Sequence, residues 1–270
     1  MTPKLLGIVN ITEDSFSDGG RFLDASAAIA HARRLAGDGA DVLDLGAAAS
    51  NPDAKPILPG SEIARLARVV EILKSDGCLI SIDSFSADVQ RWAISQDVDY
   101  LNDIQGFPDP QFYPLLAAAR AKLIVMHSVQ GRGRAEKMNV PPDRIMDRIK
   151  SFFDQRVAAL VAAGIAEERI ILDPGMGFFV GTDPQTSLTV LRRLPELKAA
   201  FGRPVLVSVS RKSFLRAVTD RPAEQAGAAT LAAELFAAAH GADYIRTHDP
   251  GALRDGLRVQ EALAPHGSEA

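Results

Sequence analysis

Short apolar runs recur along this chain, and each one ends at a polar residue that is capable of chemistry. The eight runs are 5–9, 42–43, 79–82, 100–101, 123–126, 170–172, 205–209 and 244–245. They are followed in turn by Asn10, Asp44, Asp83, Asn102, His127, Asp173, the segment 210–212, and Arg246 with His248. Because the runs are short and consist largely of Val, Ile and Leu, they predict strands of a buried parallel sheet.

Helical patterns separate these runs. Residues 25–37 are rich in alanine, and residues 61–74 repeat apolar side chains at helical spacing. Further helices are predicted at 142–163, 186–200 and 223–241. The alternation of strand and helix predicts an α/β fold, a (β/α)8 TIM barrel, formed by a single domain over residues 1–270. The strand ends of such a barrel open on one face, so the polar residues are predicted to converge in one pocket.

Composition narrows the possible functions. A formal net charge of −4 argues against a general nucleic-acid binder. No run approaches the roughly 18 to 20 apolar residues that crossing a bilayer requires, and the first strand begins too early to leave room for an export signal. We therefore expect a cytoplasmic protein with no membrane or nucleic-acid partner. The single cysteine, Cys78, is interpreted as a core thiol.

Three loops on the predicted catalytic face are rich in glycine, proline and small polar residues. They span 12–21, 47–60 and 128–142. Long loops at this face commonly act as lids or substrate clamps. The alternative is that they are solvent-exposed connections.

Four sequence motifs occur at the predicted strand ends. They are GIVNITEDSFSDGG at 7–20, DPGMGF at 173–178, SRKS at 210–213 and RTH at 246–248. In this order they resemble the motifs of dihydropteroate synthases, which are pterin-binding barrels, and the similarity covers nearly the whole chain. The resemblance implies a transferase of folate biosynthesis. Such an enzyme condenses 6-hydroxymethyl-7,8-dihydropterin pyrophosphate with p-aminobenzoate and releases dihydropteroate and pyrophosphate.

The resemblance also implies which residues bind the pterin. Its 2-amino and N3–H groups are adjacent donors that one carboxylate can accept together, and Asp173 is the candidate for that contact. Asp83, Asn102 and Lys212 match the family's positions around the rest of the ring. The alternative for Asp83 and Asn102 is that they satisfy backbone groups at strand ends.

The pyrophosphate requires positive charge and fixed donors. Arg246 and His248 lie two residues apart on an extended segment and would project in the same direction. Asn10 resembles the family residue that meets pyrophosphate through Mg²⁺, an ion suited to one or two protein oxygens. The alternatives are a salt bridge at the barrel rim for Arg246 and a hydrogen-bonded structural histidine for His248.

Three more positions concern the contact between the two substrates. Lys212 is predicted to lie between them, with its stem along the pterin. Ser213 is predicted to offer its hydroxyl or backbone N–H to the aminobenzoate carboxylate. His127 has two interpretations of equal standing, a substrate contact or a histidine packed inside the barrel mouth.

The chain departs from the family's pattern in two loops. After the second strand the usual threonine and arginine are replaced by Ser50, which keeps a hydroxyl and is a candidate substrate ligand, and by Asn51. After the sixth strand, Phe178 is followed by Phe179 where a small residue is typical. These departures resemble sulfonamide-insensitive dihydropteroate synthases, which confer drug resistance. We interpret one phenylalanine, Phe178 or Phe179, as a wedge that excludes the drug, unless both belong to the core.

Two other functions share this fold. One is a methyltransferase that passes a methyl group from methyltetrahydrofolate to a corrinoid, which would not need the SRKS and RTH motifs together. The other is a barrel that binds pterin without turnover because of Asn51. The resemblance further implies a homodimer, for which the alanine-rich helix at 223–239 offers a smooth surface.

Overall fold

Eight parallel strands form a barrel in the computed structural model, which describes residues 2–11, 20–48, 57–131, 133 and 135–264. The strands are β1 (Lys4–Asn10), β2 (Val42–Gly46), β3 (Ile80–Asp83), β4 (Tyr100–Asp103), β5 (Lys122–Met126), β6 (Ile170–Asp173), β7 (Leu206–Val207) and β8 (Tyr244–Thr247). Neighbours pair in the order β6, β5, β4, β3, β2, β1, β8, β7. A parallel bridge between Leu172 and Val205 joins the two ends of this order. The predicted TIM barrel is confirmed.

Helices surround the barrel and connect successive strands. They are α1 (Gly20–Gly37), α2 (Pro59–Ser75), α3 (Ala87–Ser95), α4 (Tyr113–Ala118), α5 (Ile145–Ala162), α6 (Pro184–Arg192), α7 (Leu194–Phe201), α8 (Ser213–Thr219), α9 (Gly227–Ala239) and α10 (Pro250–Leu263). The helices predicted at 25–37, 61–74 and 142–163 are confirmed apart from their ends.

The remaining helix predictions need correction. The segment predicted as one helix over 186–200 is two helices, α6 and α7, because Pro195 in the first turn of α7 cannot continue the hydrogen bonding of α6. The helix predicted to start at 223 starts at Gly227, after a single 3₁₀ turn. Leu79, predicted to open the third strand, is 42% exposed and lies before it. Helices α3, α4, α8 and α10 were not predicted as elements.

Two layers of apolar packing hold the barrel together. The larger lies between the outer faces of the strands and the helices, and Cys78 packs against it as predicted. The smaller is a floor of seven side chains inside the barrel: Leu6, Val42, Tyr100, Ile124, Ile171, Leu206 and Tyr244. No helix in the described ranges has the length and apolar character needed to cross a membrane.

Candidate active site

A layer of polar side chains lies directly above the apolar floor. Side chains along a strand alternate between its two faces, so the residue two positions after each floor residue also points into the barrel. On five of these strands that residue is polar: Asp44, Asn102, Asp173, Ser208 and Arg246. The same alternation that buries the floor therefore concentrates polar groups at the mouth of the barrel.

Arg246 lies between two carboxylates in this layer. Its Nε donates to Asp44 Oδ2 at 2.5 Å and its Nη2 donates to Asp83 Oδ2 at 2.7 Å. The guanidinium side chain is only 14% exposed, so this is a buried ion-pair network and not the rim salt bridge considered from the sequence. Burial by itself lowers the pKa of Arg246, but Asp44 and Asp83 outweigh that effect and raise it.

Asp44 belongs to the site, although the sequence alone assigned it no role. It is fully buried, accepts the Arg246 hydrogen bond, and lies 3.4 and 3.5 Å from the amide nitrogen of Asn102 through its two carboxylate oxygens. Its place after a predicted strand was the only signal available. The Asn102 amide is thereby turned with its nitrogen towards Asp44, which leaves its oxygen as an acceptor.

Asp173 is held by the backbone that follows it. Its Oδ1 accepts the Gly175 N–H at 2.8 Å, and among the described residues Oδ2 has no hydrogen-bond donor. Gly175 has a φ of +74°, and a Cβ there would lie 2.4 Å from the His127 carbonyl oxygen. Only glycine fits this turn, so the DPG sequence fixes one carboxylate oxygen and leaves the other for a ligand.

Lys212 approaches the same carboxylate from β7. Its ammonium lies 5.2 Å from the centre of the Phe179 ring, a cation–π distance, and it interacts electrostatically with Asp173 and Asp83. Gly177, with a φ of +65°, lies so close that a Cβ would be 3.4 Å from Ser213 Oγ and 3.5 Å from Lys212 Cδ. The loops after β6 and β7 therefore form one wall of the site.

The ring of His248 is hydrogen-bonded to Ser210, in the segment 210–212 that follows β7. Its Nδ1 and Ser210 Oγ are 2.9 Å apart, and its backbone N–H donates to the same hydroxyl at 3.3 Å. Burial and the positive charges of Arg211 and Arg246 lower the pKa of His248 to about 3. A neutral ring that accepts from Ser210 at Nδ1 carries its proton on Nε2, where it is a donor to an anion.

His127 is placed by packing. It is buried, its Nδ1 lies 3.1 Å from the Pro174 carbonyl oxygen, and its ring meets the Phe152 ring edge to face at 5.4 Å. Burial lowers its pKa to about 4. Of the two interpretations, these contacts favour the packed histidine.

The two phenylalanines after Gly177 have different surroundings. Phe179 is buried in a small apolar cluster with Ile104 and Met126, whereas Phe178 is partly exposed at its edge. Phe179 is therefore a packing residue that also contacts Lys212, and Phe178 is the more accessible of the two.

The loop 128–142 is fastened to the loop that carries these phenylalanines. Val129 N–H donates to the Phe179 carbonyl at 3.0 Å, and Thr182 N–H donates to the Met138 carbonyl at 2.9 Å. Thr186 Oγ1 donates to the Val140 carbonyl at 2.9 Å. These bonds, three in the described part of the chain, hold it against the loop after β6 and the first turn of α6, so it is not a loose connection. Most of loops 12–21 and 47–60, with Ser50 and Asn51, lies outside the described residues.

Asn10 and Ser213 occupy the remaining predicted positions. Asn10 is exposed at the end of β1, in register with Gly46 of β2, and Ser213 is the first residue of α8. A single amide oxygen at the barrel mouth fits the preference of Mg²⁺ for one or two protein oxygens with phosphate and water. The described residues contain no cluster of three or more His, Cys, Asp or Glu side chains that would hold a metal alone.

Three groups at the mouth of the barrel have pKa values that bear on activity. Burial raises the pKa of Asp173 to about 6 and lowers that of Lys212 to about 8. Burial also raises the pKa of Asp83, because the effect of burial and of Asp44 exceeds the opposing effect of Arg246. Between about pH 6 and 8 the site therefore holds an ionised Asp173 beside a protonated Lys212.

We expect kcat/KM to follow a bell-shaped pH profile. It should rise as Asp173 loses its proton through about pH 6 and fall as Lys212 loses its proton through about pH 8. Lys212→Arg, which stays protonated, should remove the alkaline limb while keeping the acid limb. Steady-state rates between pH 5 and 10 test this, and an unchanged alkaline limb in the variant would assign that limb to another group.

Comparisons with known proteins agree with this geometry. Residues 6–248 match the family described as "Pterin binding enzyme". The chain is 60% identical to dihydropteroate synthase type-2 of Escherichia coli, over 96% of this chain and 95% of the relative. It is 52% identical to dihydropteroate synthase type-3 of the same organism, over 96% and 99%. This chain belongs to the dihydropteroate synthase family.

A solved structure extends the agreement to the whole fold. Dihydropteroate synthase from Xanthomonas albilineans with 4-aminobenzoic acid superposes with a TM-score of 0.89 at 35% identity, covering 98% of this chain and 94% of that one. The matched family region begins in β1 and ends at His248, so it includes all the described dihydropteroate synthase motifs. The chain is therefore a transferase of this family.

Proposed function

We propose that this protein condenses 6-hydroxymethyl-7,8-dihydropterin pyrophosphate with p-aminobenzoate, as a single barrel domain over residues 1–270. One observation carries the proposal: a carboxylate with a free oxygen, Asp173, faces Lys212 above a closed apolar floor, beside Arg246. A flat ring with adjacent donors at one edge and a pyrophosphate at the other end fits that arrangement.

The pterin half of the site binds by hydrogen bonds from fixed strands. Asp173 accepts the 2-amino and N3–H groups, and the Asn102 oxygen and the Asp83 carboxyl contact the other ring atoms. Asp83 is already shared with Arg246, so the ring nitrogen that it meets sits beside a positive charge. The Lys212 ammonium donates to the ring carbonyl and its stem covers the ring face.

The pyrophosphate half of the site supplies positive charge that stabilises the leaving group. When the C–O bond of the pterin methylene breaks, negative charge accumulates on pyrophosphate, and His248 Nε2–H and the remaining donors of Arg246 stabilise it. Asn10 would offer one oxygen to Mg²⁺, and a bound Mg²⁺ would neutralise negative charge on the pyrophosphate. The methylene left behind resembles a stabilised cation, and the aniline nitrogen attacks it and later loses a proton.

The p-aminobenzoate half is built from loops. Ser213, at the start of α8, donates to the carboxylate through its hydroxyl or backbone N–H, and Ser50 provides a second hydroxyl in this proposal. Phe178 lies beyond the carboxylate. A sulfonamide replaces that flat group with a tetrahedral, substituted one, so Phe178 excludes the drug and admits the substrate. We therefore propose sulfonamide insensitivity, supported by the partly exposed Phe178 and by the identity to the type-2 and type-3 enzymes.

The test is a steady-state assay of the purified protein that follows pyrophosphate release. We expect turnover with both substrates and Mg²⁺, loss of turnover with a chelator, and recovery when Mg²⁺ is restored. Turnover should persist at sulfonamide concentrations far above that of p-aminobenzoate. Absence of turnover with saturating substrates would refute the synthase, whereas inhibition by equimolar drug would refute only the insensitivity. Methyl transfer from methyltetrahydrofolate to a corrinoid would establish the methyltransferase alternative instead.

We also propose that the protein is a homodimer. Helix α9 contacts α8 and α10, and this group of helices exposes the apolar side chains Val218, Phe236, Val259 and Leu263. Burying such side chains against a second copy is favourable. Sedimentation equilibrium should give twice the chain mass of 28.8 kDa, and a mass that stays at the single-chain value at micromolar concentration would contradict the dimer.

A further inference from the structure

Two buried polar residues interrupt the apolar face of α9. The helix reads GAATLAAELFAAA, and its two polar side chains are Thr230, 5% exposed, and Glu234, 1% exposed. Four residues apart on a helix, they point to the same side. Placing a carboxyl group where alanine would pack without loss is unfavourable unless the group makes a specific contact. The contacts of both residues lead to the active site.

Thr230 contacts the segment that carries Lys212. Its Oγ1 accepts the backbone N–H of Arg211 at 3.1 Å. Arg211 has a φ of +57°, a left-handed conformation that a residue with a side chain adopts at a cost. A buried hydroxyl that satisfies its N–H stabilises this turn, and the turn sets the direction in which the next residue, Lys212, leaves the backbone.

Glu234 contacts the end of β8 one helical turn later. Its carboxyl group lies next to the side chain of Thr247, which favours its charged form. The Thr247 Oγ1 accepts the Asp249 N–H at 3.1 Å. Thr247 is fully buried and lies between Arg246 and His248 in sequence. Its fixed side chain therefore determines how the strand ends between the two proposed pyrophosphate ligands.

The two segments also contact each other. His248 Nδ1 lies 2.9 Å from Ser210 Oγ, which connects the end of β8 to the residue before Arg211. Hydrogen bonds thus join α9 to the 210–212 turn and that turn to the 246–248 segment, and Glu234 packs next to Thr247 at the end of β8. No member of α9 itself reaches the proposed substrate positions.

We propose that Thr230 and Glu234 are positioning residues, which hold the Lys212 turn and the Arg246–His248 segment in register for departure of pyrophosphate. This inference rests on the proposed function. It adds to the proposed function two residues on a helix behind the site, which act on the site through Arg211 and Thr247.

The carboxyl of Glu234 acts in its neutral form near neutral pH. Burial raises its pKa to about 8, against the opposing effect of the neighbouring Thr247 side chain, and its Oε1 is buried without a partner among the described residues. Glutamine has the same shape and no charge, so it reproduces this neutral group. Leucine fills the same space and removes the polar contact with Thr247.

The experiment compares three variants of α9 with a control in the core. Glu234→Leu and Thr230→Val should each lower kcat about 10- to 100-fold and change both KM values less than about threefold, because misplaced groups affect the chemical step most. Glu234→Gln should stay within about threefold of the unchanged protein. Leu160→Ala, in the buried face of α5, is the control for lost stability and should keep kcat when assayed well below its Tm.

The outcomes separate the possible explanations. If the unchanged protein shows no turnover of the substrates, the proposed function is refuted, and this result is known before any variant is compared. If it turns over and Glu234→Leu keeps its kcat, or if Glu234→Gln loses as much as Glu234→Leu, the positioning role is refuted. A loss in Leu160→Ala equal to that in Glu234→Leu, at an equal drop in Tm, would also refute it, because stability would then explain both.

Discussion

Asp173→Asn should lower kcat/KM for the dihydropterin pyrophosphate about 100- to 1000-fold. The carboxylate accepts two ring donors, whereas an amide presents its own N–H groups to one of them and leaves a buried donor unpaired. At about 1.4 kcal/mol per tenfold, the expected loss is about 3 to 4 kcal/mol of transition-state stabilisation. Steady-state kinetics with varied pterin substrate measure it, and KM for p-aminobenzoate should change little.

A second aspartate supplies a matched control. Asp109 Oδ1 accepts the N–H two residues later, from Gln111 at 3.0 Å, as Asp173 Oδ1 does from Gly175 at 2.8 Å. Asp109→Asn therefore makes the same change at an exposed aspartate with the same kind of hydrogen bond to the backbone, and both rate and Tm should stay close to those of the unchanged protein. If Asp173→Asn retained more than a tenth of kcat/KM, the pterin contact assigned to this carboxylate would be wrong.

Phe178→Gly should make the enzyme sensitive to sulfonamides, with an inhibition constant about 100-fold lower. A steric clash of a few kcal/mol acts on the tetrahedral sulfonyl group and its substituent, while the flat carboxylate of p-aminobenzoate avoids it. Phe178 is only partly buried, so its removal costs the fold little. KM for p-aminobenzoate should change only a few-fold. The measurement is inhibition by one sulfonamide at several p-aminobenzoate concentrations.

Phe178→Leu tests whether the size of the Phe178 side chain or its aromatic character excludes the drug. Leucine still fills the space beyond the carboxylate, so this variant should remain much less sensitive than Phe178→Gly. Unchanged drug resistance in Phe178→Gly would remove Phe178 from the explanation and direct attention to the neighbouring loops. Phe179 is a poorer choice for this test because it packs beneath Lys212 and its loss would disturb the pterin side as well.

The sequence predicted the barrel because both of its periodic signals are strong. Apolar runs of strand length alternate with helical patterns, and the polar residue at each strand end marks the open face. Three of the helices that escaped prediction, α3, α4 and α8, have nine residues or fewer. Helix α8, for example, has seven residues, and its exposed Val218 blurs any apolar stripe. The fourth, α10, has 14 residues and buries Leu253 and Leu257 on one face, so its pattern is readable in the sequence. The break between α6 and α7 follows from Pro195, a signal that was visible but not used.

The pairing within the site could not be predicted in the same way. Arg246 contacts Asp44 and Asp83, which precede it by 202 and 163 residues, and nothing local in the sequence selects these carboxylates over other acceptors. The roles of Phe178 and Phe179 likewise depend on one 3₁₀ turn, which directs the first outward and the second into an apolar cluster. Such assignments require the three-dimensional packing.

The polar layer sits directly on the apolar floor, and this has a consequence for inhibitors. Asn102 and Asp173, the proposed pterin ligands on β4 and β6, each lie two positions after a floor residue, so evading a compound by shifting these strands would disturb packing that holds the barrel together. Phe178, which lies next to p-aminobenzoate in the proposed function, is packed only at the edge of its apolar cluster and can be replaced at less cost to the fold. A molecule that competes for the pterin position alone should therefore meet fewer escape routes than one that extends towards Phe178.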